Sequence, residues 1–360
     1  MLISFKEITS IALILGLITL FTPAQAQQNS LNFISDMRGD VKIKRASQRN
    51  YRQAYRGDTL NSSDSLRLGR GAYVEVLCDN SNTWYPKSPG THKVSIGCPS
   101  IGGSVRRSSN RLPTRPIQDP NIPYVISPRN TRILTTKPTL RWNPVEGANS
   151  YEVRIQGIGF MWQTEVEGTG VAYGCEKLLQ PGAGYELVVN ADNGASSLEE
   201  SSIRFYLLEE KEAGSIRSEV EQLQKRPLSE EGKALALVYL YRRNGLQAEA
   251  IEVLADLVAA GNETTAVHLL LADLYQDSDL VFLAQRQYLQ ALDLAKQEEN
   301  WEAQAISQVE LGAMEEVIDE LQLATEFYEE ALASYRILGD EEQIRELEQK
   351  LIELQKKIEF

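Results

Sequence analysis

The spacing of apolar residues changes twice along the chain. Residues 8–21 form an almost unbroken apolar run, alternation of apolar and polar residues recurs up to about residue 208, and apolar residues three and four positions apart follow to the end. Alternation of period two is typical of strands, and spacing of three and four is typical of amphipathic helices. The pattern therefore predicts a leader, then β structure, then an all-helical part. A chain of 360 residues is too long for one core and fits two or three domains.

The leader has the features of a cleavable signal peptide over residues 1–26. A weakly positive start precedes the apolar run, Pro23 breaks it, and Ala24, Gln25 and Ala26 form the small-x-small pattern at which signal peptidase cuts. We expect cleavage after Ala26 and a periplasmic or secreted mature protein. The apolar core is shorter than the ~20 residues that a spanning helix needs. A retained membrane anchor is the alternative.

Short alternating segments separated by glycine turns fill residues 27–110. Val41 and Ile43 alternate with lysines, and glycine turns stand at residues 57–58 and 69–71. This pattern predicts a small antiparallel β-domain. The order of turn glycines and strand residues resembles that of the FecR-type domain, a periplasmic part of bacterial iron-signalling regulators. The resemblance implies a periplasmic sensing or regulatory component as an alternative function.

Export would place the three cysteines in an oxidising compartment. Cys78 and Cys98 each follow a strand-like run and stand 20 residues apart. They could form a disulfide, and two buried free thiols are the alternative. We interpret Cys175 as a small buried residue or, alternatively, as a reactive thiol.

A proline-rich segment over residues 111–123 separates the first β-domain from a second one over residues 124–209. Prolines at this density prevent helix and favour an extended linker. Beyond the linker, alternating strands carry Trp142 early and Tyr185 about 40 residues later. A core tryptophan with a tyrosine that bonds the chain upstream resembles the fibronectin type III and related immunoglobulin-like sandwiches. Such sandwiches serve as spacers or as adhesion modules, so the resemblance predicts the fold and leaves the function open.

Internal repetition is the strongest signal of the chain, and it lies in residues 210–340. A second unit repeats the first after 34 residues, and a third repeats the second after 40. The equivalent turn and second-helix positions are Gly245, Asp279 and Asp319, and Ala250, Ala284 and Ala324. Two helices per unit and this period resemble the tetratricopeptide repeat, which implies a solenoid of stacked helix pairs.

The segments that flank the repeats are also predicted to be helical. Residues 212–226 align with the second helix of a unit and predict a preceding half repeat, which ends at Pro227. Residues 341–360, after a potential cap at Asp340, carry one apolar stripe and predict a capping helix for the solenoid. A short coiled-coil seam is the alternative.

The tetratricopeptide resemblance implies a concave groove, lined by the first helix of each pair, in which a partner polypeptide binds. The groove positions with polar or aromatic side chains are Tyr239, Arg242, Arg243, Asp273, Gln276 and Glu316. Tyr239 with the two arginines forms a basic, aromatic spot in an acidic region, which suits a carboxylate of the partner. Alternatively, both arginines only neutralise nearby glutamates.

The charge of the chain is divided between its regions. Residues 27–130 hold 16 Lys and Arg against 7 Asp and Glu, residues 131–210 hold 6 against 11, and residues 211–360 hold 14 against 31. The basic N-terminal region predicts an anionic partner, for which a glycan or a lipid surface fits an exported protein better than nucleic acid. Attraction between the two ends of the molecule and scattered solvated charge are the alternatives.

The composition argues against most catalytic sites. Two histidines and three cysteines leave little material for metal sites or histidine-based catalysis, and no nucleophile elbow, phosphate-binding glycine loop or zinc-protease motif occurs. We expect no cofactor, no metal and no catalysis. Carboxylates are plentiful, which leaves glycan-directed hydrolysis as a distant alternative. Acidic pairs such as Glu315 and Glu316 are instead expected to be solvated helix faces.

These patterns together predict a multidomain protein: a small all-β FecR-like domain, a β-sandwich and a C-terminal all-α solenoid. The combination is similar to that of exported cyanobacterial proteins. The function that follows is a non-catalytic scaffold or adaptor that binds a partner protein in the solenoid groove.

Overall fold

The computed structural model describes residues 32–79, 82–99, 118–174 and 177–359. The predicted signal peptide, most of the proline-rich segment and Cys175 lie outside these residues. The described chain is β-rich up to Leu207 and all-helical from Glu210, so the predicted change from β to α structure is confirmed. None of the described helices combines the length and the apolar character that crossing a membrane requires.

The N-terminal unit consists of two small packed sheets. Its elements are β1 (Asn32–Arg38), β2 (Val41–Lys44), β3 (Arg52–Gln53), β4 (Thr59–Leu60), β5 (Ser65–Leu68), β6 (Tyr73–Leu77), β7 (Thr83–Trp84), β8 (Gly90–Lys93) and the single-turn helix α1 (Val94–Gly97). The sheet orders are β4-β1-β6-β7 and β3-β2-β5-β8. Alternate residues of their strands, such as Ile34, Val41, Ile43 and Leu66, form one core, as a period of two requires.

A disulfide joins the end of β6 to the end of α1. It links Cys78 to Cys98, whose Cα atoms are 5.3 Å apart, and both residues are buried in the core of the N-terminal unit. The cross-link ties the strand that pairs with β1 to the last element of the unit. By loop closure, a bond over 20 residues stabilises the folded chain by ~3 kcal/mol.

The second unit is a sandwich of a five-stranded and a three-stranded sheet. Its strands are β9 (Val125–Ser127), β10 (Thr131–Ile133), β11 (Thr139–Trp142), β12 (Tyr151–Gly157), β13 (Phe160–Val166), β14 (Gly170–Ala172), β15 (Gly184–Ala191) and β16 (Ile203–Leu207). The sheet orders are β10-β16-β15-β12-β13 and β14-β11-β9. Trp142 is buried between the sheets, 5.5 Å from the ring of Tyr151. The Tyr185 hydroxyl accepts a hydrogen bond of 2.6 Å from the Gln180 amide upstream, which fixes the turn into β15.

Eight helices form the described C-terminal part. They are α2 (Glu210–Gln224), α3 (Glu230–Arg243), α4 (Gln247–Ala259), α5 (Thr265–Asp277), α6 (Val281–Gln297), α7 (Trp301–Val317), α8 (Leu321–Leu338) and α9 (Glu341–Ile358). Each helix packs on the next one along the chain. Small residues allow the close crossings: a Cβ atom at Gly312 of α7 would stand 3.0 Å from the Tyr328 ring of α8. The arrangement of stacked α-hairpins fits a tetratricopeptide solenoid.

The hairpin turns repeat one backbone geometry. Gly245, Asp279 and Asp319, which the repeat alignment made equivalent, all have positive φ, at 68°, 56° and 66°. In each turn the next residue donates its amide to the carbonyl five positions back, as Leu246 does to Tyr241 at 2.9 Å. The chain thus ends each first helix in a left-handed residue that glycine and aspartate tolerate.

The first helix of each pair and the last helix, α9, begin with the same type of N-terminal cap. The side chains of Ser229, Thr264, Asn300 and Asp340 each accept a hydrogen bond from the backbone amide three residues on. Such caps satisfy amides that have no partner within the helix. They place four helix starts, those of α3, α5, α7 and α9, along one edge of the stack.

Candidate interaction surface

A ladder of polar side chains crosses the first helices α3, α5 and α7. It consists of Arg242, Asp273, Gln276, Asp277 and Glu310, and we call it the inner ladder. Arg242 Nη2 donates to Asp277 Oδ2 at 3.0 Å, and its Nη1 lies 4.0 Å from Asp273 Oδ2. Between α5 and α7, Gln276 Nε2 donates to Glu310 Oε2 at 2.9 Å. The structure therefore brings three of the predicted groove residues together.

The inner ladder is supported by a tyrosine of the second helix α6 and is partly open to solvent. The hydroxyl of Tyr288, a fully buried residue of α6, lies 2.9 Å from Asp273 Oδ1 and 2.7 Å from Gln276 Oε1. The side chains of Arg242, Asp273 and Asp277 retain 25%, 16% and 24% of their exposure. The groups are therefore preorganised by neighbours and still reachable from solvent.

Two other predicted groove residues lie apart from the ladder. Arg243 Nη2 is 2.6 Å from Glu219 Oε2 on α2, which is the neutralising contact considered as the alternative. Glu316 accepts a hydrogen bond of 2.7 Å from Lys357 and forms an ion pair, also at 2.7 Å, with Lys350 of α9. The two lysines attach the last helix to α7.

Tyr239 and the helix turn before it face the N-terminal unit. The Tyr239 ring centroid is 4.8 Å from that of Phe33 on β1. Leu235, one turn earlier, is only 1% exposed and lies beside Gly57. The first end of the predicted groove is therefore covered by the chain's own β structure.

A largely buried ion cluster joins the N-terminal unit to the start of α7. Glu302 accepts from Arg45 Nε at 2.8 Å and pairs with Arg52 as well. The arginines are held on their other sides by Asp64 and Asp58, each at 2.8 Å. Because each charge has an opposite neighbour with good geometry, the cost of burying the cluster is offset.

The same cluster sets the acidity of Glu302. Burial alone would raise the pKa of the Glu302 carboxyl, but the charges of Arg45 and Arg52 and their hydrogen bonds outweigh it and hold that pKa well below its usual range. Glu302 therefore remains ionised in the folded protein at any pH above strongly acidic values.

The loop after β2 extends this contact to the last helix pair. Arg49 donates its amide to the Gly339 carbonyl at 3.1 Å, and Ser47 Oγ donates to Asp340 Oδ2 at 2.8 Å. Asn50 Nδ2 donates to the Ile337 carbonyl at 3.0 Å. Tyr55 also donates its hydroxyl to the Glu298 carbonyl at 2.6 Å. These contacts place the N-terminal unit along the whole edge of the stack at which α3, α5, α7 and α9 begin.

The sandwich covers the opposite edge, where the hairpin turns lie. Arg129, only 3% exposed, donates to the Ser278 carbonyl at 2.8 Å and pairs with Glu200 within the sandwich. The Thr131 hydroxyl contacts the Gly245 carbonyl and the Gln247 amide, both at 3.1 Å. The stack therefore lies between the two β units.

Sequence reasoning did not single out Arg45, Arg52 or Glu302. The signal for them was the opposite net charge of the two ends of the chain, which had suggested mutual attraction as one alternative. The structure shows that attraction at these residues. Charge counts over a hundred residues do not identify which residues pair.

Other cations of the N-terminal unit remain on its outer surface. Lys42, Lys44, Arg67 and Lys93 share the outward side of the sheet β3-β2-β5-β8, and we call this the basic face. The Arg67 guanidinium lies 4.1 Å from the centroid of the Tyr51 ring. Asp40 pairs with this face, at 3.8 Å from Lys42.

The expectation of a solvated acidic pair at Glu315 and Glu316 was wrong. Glu315 is only 4% exposed and accepts a hydrogen bond of 2.7 Å from Gln285 Nε2, and burial raises its pKa. Glu316 is bound by the α9 lysines described above. The second helix of one pair and the capping helix cover this face, which periodicity within α7 alone could not reveal.

The described residues contain no group of three or more histidine, cysteine or acidic side chains that could hold a metal ion. His268 is buried, and its Nδ1 lies 2.7 Å from Gln287 Oε1. This contact fits a packing role for the residue.

Comparisons with known proteins give structural likenesses of low similarity. No protein-family model and no curated protein matches the chain. Among solved structures, the crystal structure of MamA is 22% identical over 41% of this chain and 91% of that chain, with a TM-score of 0.29. The chicken CNTN1 FN1-FN3 domains are 12% identical over 47% of this chain and 51% of that chain, with a TM-score of 0.17.

Proposed function

We propose that this protein is an exported, non-catalytic scaffold that binds a partner polypeptide on the inner face of its helical stack. The observation that carries the proposal is the inner ladder. Its donors and acceptors lie on three successive first helices, and Tyr288 holds the two on α5, Asp273 and Gln276. An extended peptide that lies across these helices meets a row of hydrogen-bonding groups that are already ordered. Binding therefore costs little free energy for immobilising these side chains.

The proposed binding region is shorter than the groove predicted from the repeats. Phe33 covers Tyr239, and Gly57 covers Leu235. The partner therefore meets Arg242, Asp273 and Gln276, with Tyr239 at the boundary to the N-terminal unit. A basic residue beside two acidic ones suits a segment of mixed charge.

We assign the N-terminal unit to the FecR type and the sandwich to the fibronectin type III type as part of the same proposal. Short antiparallel strands with glycine turns support the first assignment. The buried Trp142 and the hydroxyl contact of Tyr185 support the second. In this arrangement the sandwich acts as a spacer that is fixed to the hairpin turns.

The basic face supports a contact between the N-terminal unit and an anionic glycan or lipid of the cell envelope. Four cations lie on one side of one sheet, whereas Arg45 and Arg52 are occupied by Glu302. Binding through such a surface weakens as salt concentration rises. Sedimentation of the protein with envelope fragments, with and without Lys44→Glu and Arg67→Glu, measures this contribution.

Export with cleavage after Ala26 is supported by the signal-peptide pattern and by the disulfide, which persists in oxidising compartments. Fractionation of the producing cells and N-terminal sequencing test it. Gln27 is the expected first residue of the mature protein.

Photo-crosslinking tests the partner site. We would place p-benzoylphenylalanine at position 276 in the inner ladder, or at position 289, whose natural leucine is 41% exposed on the second helix α6. Incubation of each chain with envelope extract and irradiation should yield one crosslinked polypeptide from position 276 and none from position 289.

A matched pair of charge reversals completes the test. Arg242→Glu should reduce the crosslink at least tenfold because it reverses the charge within the ladder, and Tyr239→Ala combined with it should not restore it. Arg217→Glu changes an exposed arginine of α2 that pairs only with Glu210 among described residues, and it should leave the crosslink unchanged. Equal crosslinking from positions 276 and 289, or none from either, would contradict the proposal.

A further inference from the structure

A cleft lies between the sandwich and the helical stack, apart from the inner ladder. Its volume is about 180 Å³. Ile126, Ile133 and Pro138 line it from the sandwich, and Ile251 and Leu283 line it from the helices. Ligand sites are often found at such domain boundaries, with mostly apolar walls and a few polar groups that fix orientation.

Two arginines line the cleft from opposite units. Arg141 lies on β11 of the sandwich and Arg286 lies on α6 of the stack. Both are exposed, and neither makes a side-chain hydrogen bond or ion pair to a described residue. Glu252, also at the cleft, is exposed and pairs with neither of them. Guanidinium groups without a partner suit a carboxylate, which they bind through two parallel hydrogen bonds.

A buried carboxylate lines the same cleft. Glu249 of α4 is only 9% exposed, and its Oε1 accepts a hydrogen bond from the Leu134 amide. Its Oε2 has no hydrogen-bond partner in the part of the chain that the structure describes. A buried acceptor without a donor carries an uncompensated desolvation cost. Oε2 is closed off from solvent in this conformation, so an ammonium group in the cleft would remove this cost after a rotation of the Glu249 side chain turns the oxygen toward it.

We propose that this cleft binds a free α-amino acid with an apolar side chain. The ammonium group meets Glu249, the carboxylate meets Arg141 and Arg286, and the side chain packs against the apolar walls. A cleft of about 180 Å³ accommodates a small molecule of this kind and is too small for a folded peptide.

The chain's own sequence offers a poor substitute for this ligand. Residues 100–117 carry four arginines, Arg106, Arg107, Arg111 and Arg115, and no aspartate or glutamate. A segment of that charge would place further cations beside Arg141 and Arg286. A small zwitterion instead supplies one charge of each sign, as the cleft requires.

Titration calorimetry with L-leucine tests the proposal on the chain from Gln27 to Phe360. Three analogues each remove one feature of the ligand: 4-methylpentanoate lacks the ammonium group, 3-methylbutylamine lacks the carboxylate, and glycine lacks the apolar body. We expect saturable binding of leucine at one site and at least tenfold weaker binding of each analogue.

Three variants locate the site. Arg286→Gln and Glu249→Gln should each weaken leucine binding at least tenfold, whereas Arg204→Gln, which changes an exposed arginine of β16 outside the cleft, should leave it unchanged. Thermal unfolding of each variant shows whether the fold persists, and Arg286→Lys supplies a second, milder change if the first variant does not fold.

Several outcomes would overturn the proposal. Binding of 4-methylpentanoate as tight as that of leucine would mean that Glu249 does not recognise an ammonium group. Leucine binding that survives both Arg286→Gln and Glu249→Gln would place the site elsewhere. An absence of heat with all four compounds at millimolar concentration would show that the cleft takes no amino acid of this class.

Discussion

The two β units are attached to the helical stack by different means. At the N-terminal unit, Glu302, whose side chain is 14% exposed, accepts from two arginines across the interface, and backbone hydrogen bonds extend the contact to Gly339. At the sandwich, the ion pair among described residues that crosses the interface, Arg132 with Glu212, is exposed, and the buried Glu249 keeps an oxygen without a partner.

The difference concerns how the charged groups of each interface are paired. At the N-terminal unit the carboxylates and guanidinium groups pair with each other, and only neutral or single donor atoms such as Gln48 Oε1 and Arg52 Nε lack a partner among described residues, so this interface is expected to be the more rigid one. At the sandwich, unpaired groups and a cleft remain, and such imperfections are typical of ligand sites and of surfaces that move. One chain therefore contains a structural interface and a candidate functional one on opposite edges of the same stack.

The largest expected effect comes from removing the central carboxylate of the first interface. Glu302→Ala leaves Arg45 and Arg52 buried without their shared partner, which should lower the free energy of unfolding by about 3–5 kcal/mol. Calorimetry should show the N-terminal unit melting before the helices. Glu329→Ala, an exposed glutamate of α8, is the control and should have an effect within about 0.5 kcal/mol. Equal effects of the two substitutions would show that the cluster does not hold this interface.

The second prediction concerns the carboxylate of the sandwich interface. Burial raises the pKa of Glu249 to about 7, against the lowering effect of the Leu134 amide. The pKa of Glu249 is therefore higher in the folded than in the unfolded chain, and between these two values the folded protein binds more protons. The free energy of unfolding consequently falls as the pH rises from about 4.5 to 7. Glu249→Gln keeps the acceptor for Leu134 and removes the charge, so its advantage over the natural chain should grow by about 3 kcal/mol between pH 4.5 and pH 8.

Urea unfolding of both chains at the two pH values measures this growth. Parallel pH dependence of the natural chain and of Glu249→Gln would show that the carboxyl is not buried at the interface, and would make the two interfaces more alike than described.

A substitution at Gly57 tests the packing of the first interface. Gly57 has φ of +82°, and a Cβ atom there would stand 2.3 Å from Ala266 Cβ of α5. Gly57→Ala should therefore cost about 2 kcal/mol or more, from backbone strain and from steric overlap. Gly71 also has positive φ, +72°, but open space around it. The difference between Gly57→Ala and Gly71→Ala in thermal unfolding isolates the overlap with α5, and no difference would mean that the interface yields easily.

The smallest expected effect belongs to a single hydroxyl of the second interface. Thr131→Val removes the group that contacts the Gly245 carbonyl and the Gln247 amide, which should cost about 1 kcal/mol. Thr164→Val on β13, where the hydroxyl makes no hydrogen bond to a described residue, is the control in the same denaturation assay. A loss above about 3 kcal/mol would mean that the sandwich is held as firmly as the N-terminal unit.

Local features of this fold could be predicted from the sequence. The repeat alignment placed Gly245, Asp279 and Asp319 in equivalent turns, and all three adopt positive φ. The position of Trp142 in an early strand predicted a buried tryptophan, and it is buried. These features depend on residues that are close along the chain or share one period, so a single sequence contains them.

The contacts between units could not be predicted in this way. Arg45 and Glu302 are 257 positions apart, and no periodicity links them. The same docking of the N-terminal unit on the stack places the Phe33 ring 4.8 Å from the ring of Tyr239. The groove prediction treated the repeats as an isolated solenoid, and it therefore included a helix end that another part of the chain covers.

The N-terminal unit touches α3, α5, the start of α7 and the start of α9. In an ordinary repeat array each repeat contacts only its neighbours, so repeats can loosen one at a time from an end. Here the N-terminal unit by itself contacts all three hairpins and the terminal helix, and so restrains their positions relative to one another. Because of these contacts, the helical array should keep a fixed curvature and unfold in one cooperative transition, with fraying confined to the last turns of α9.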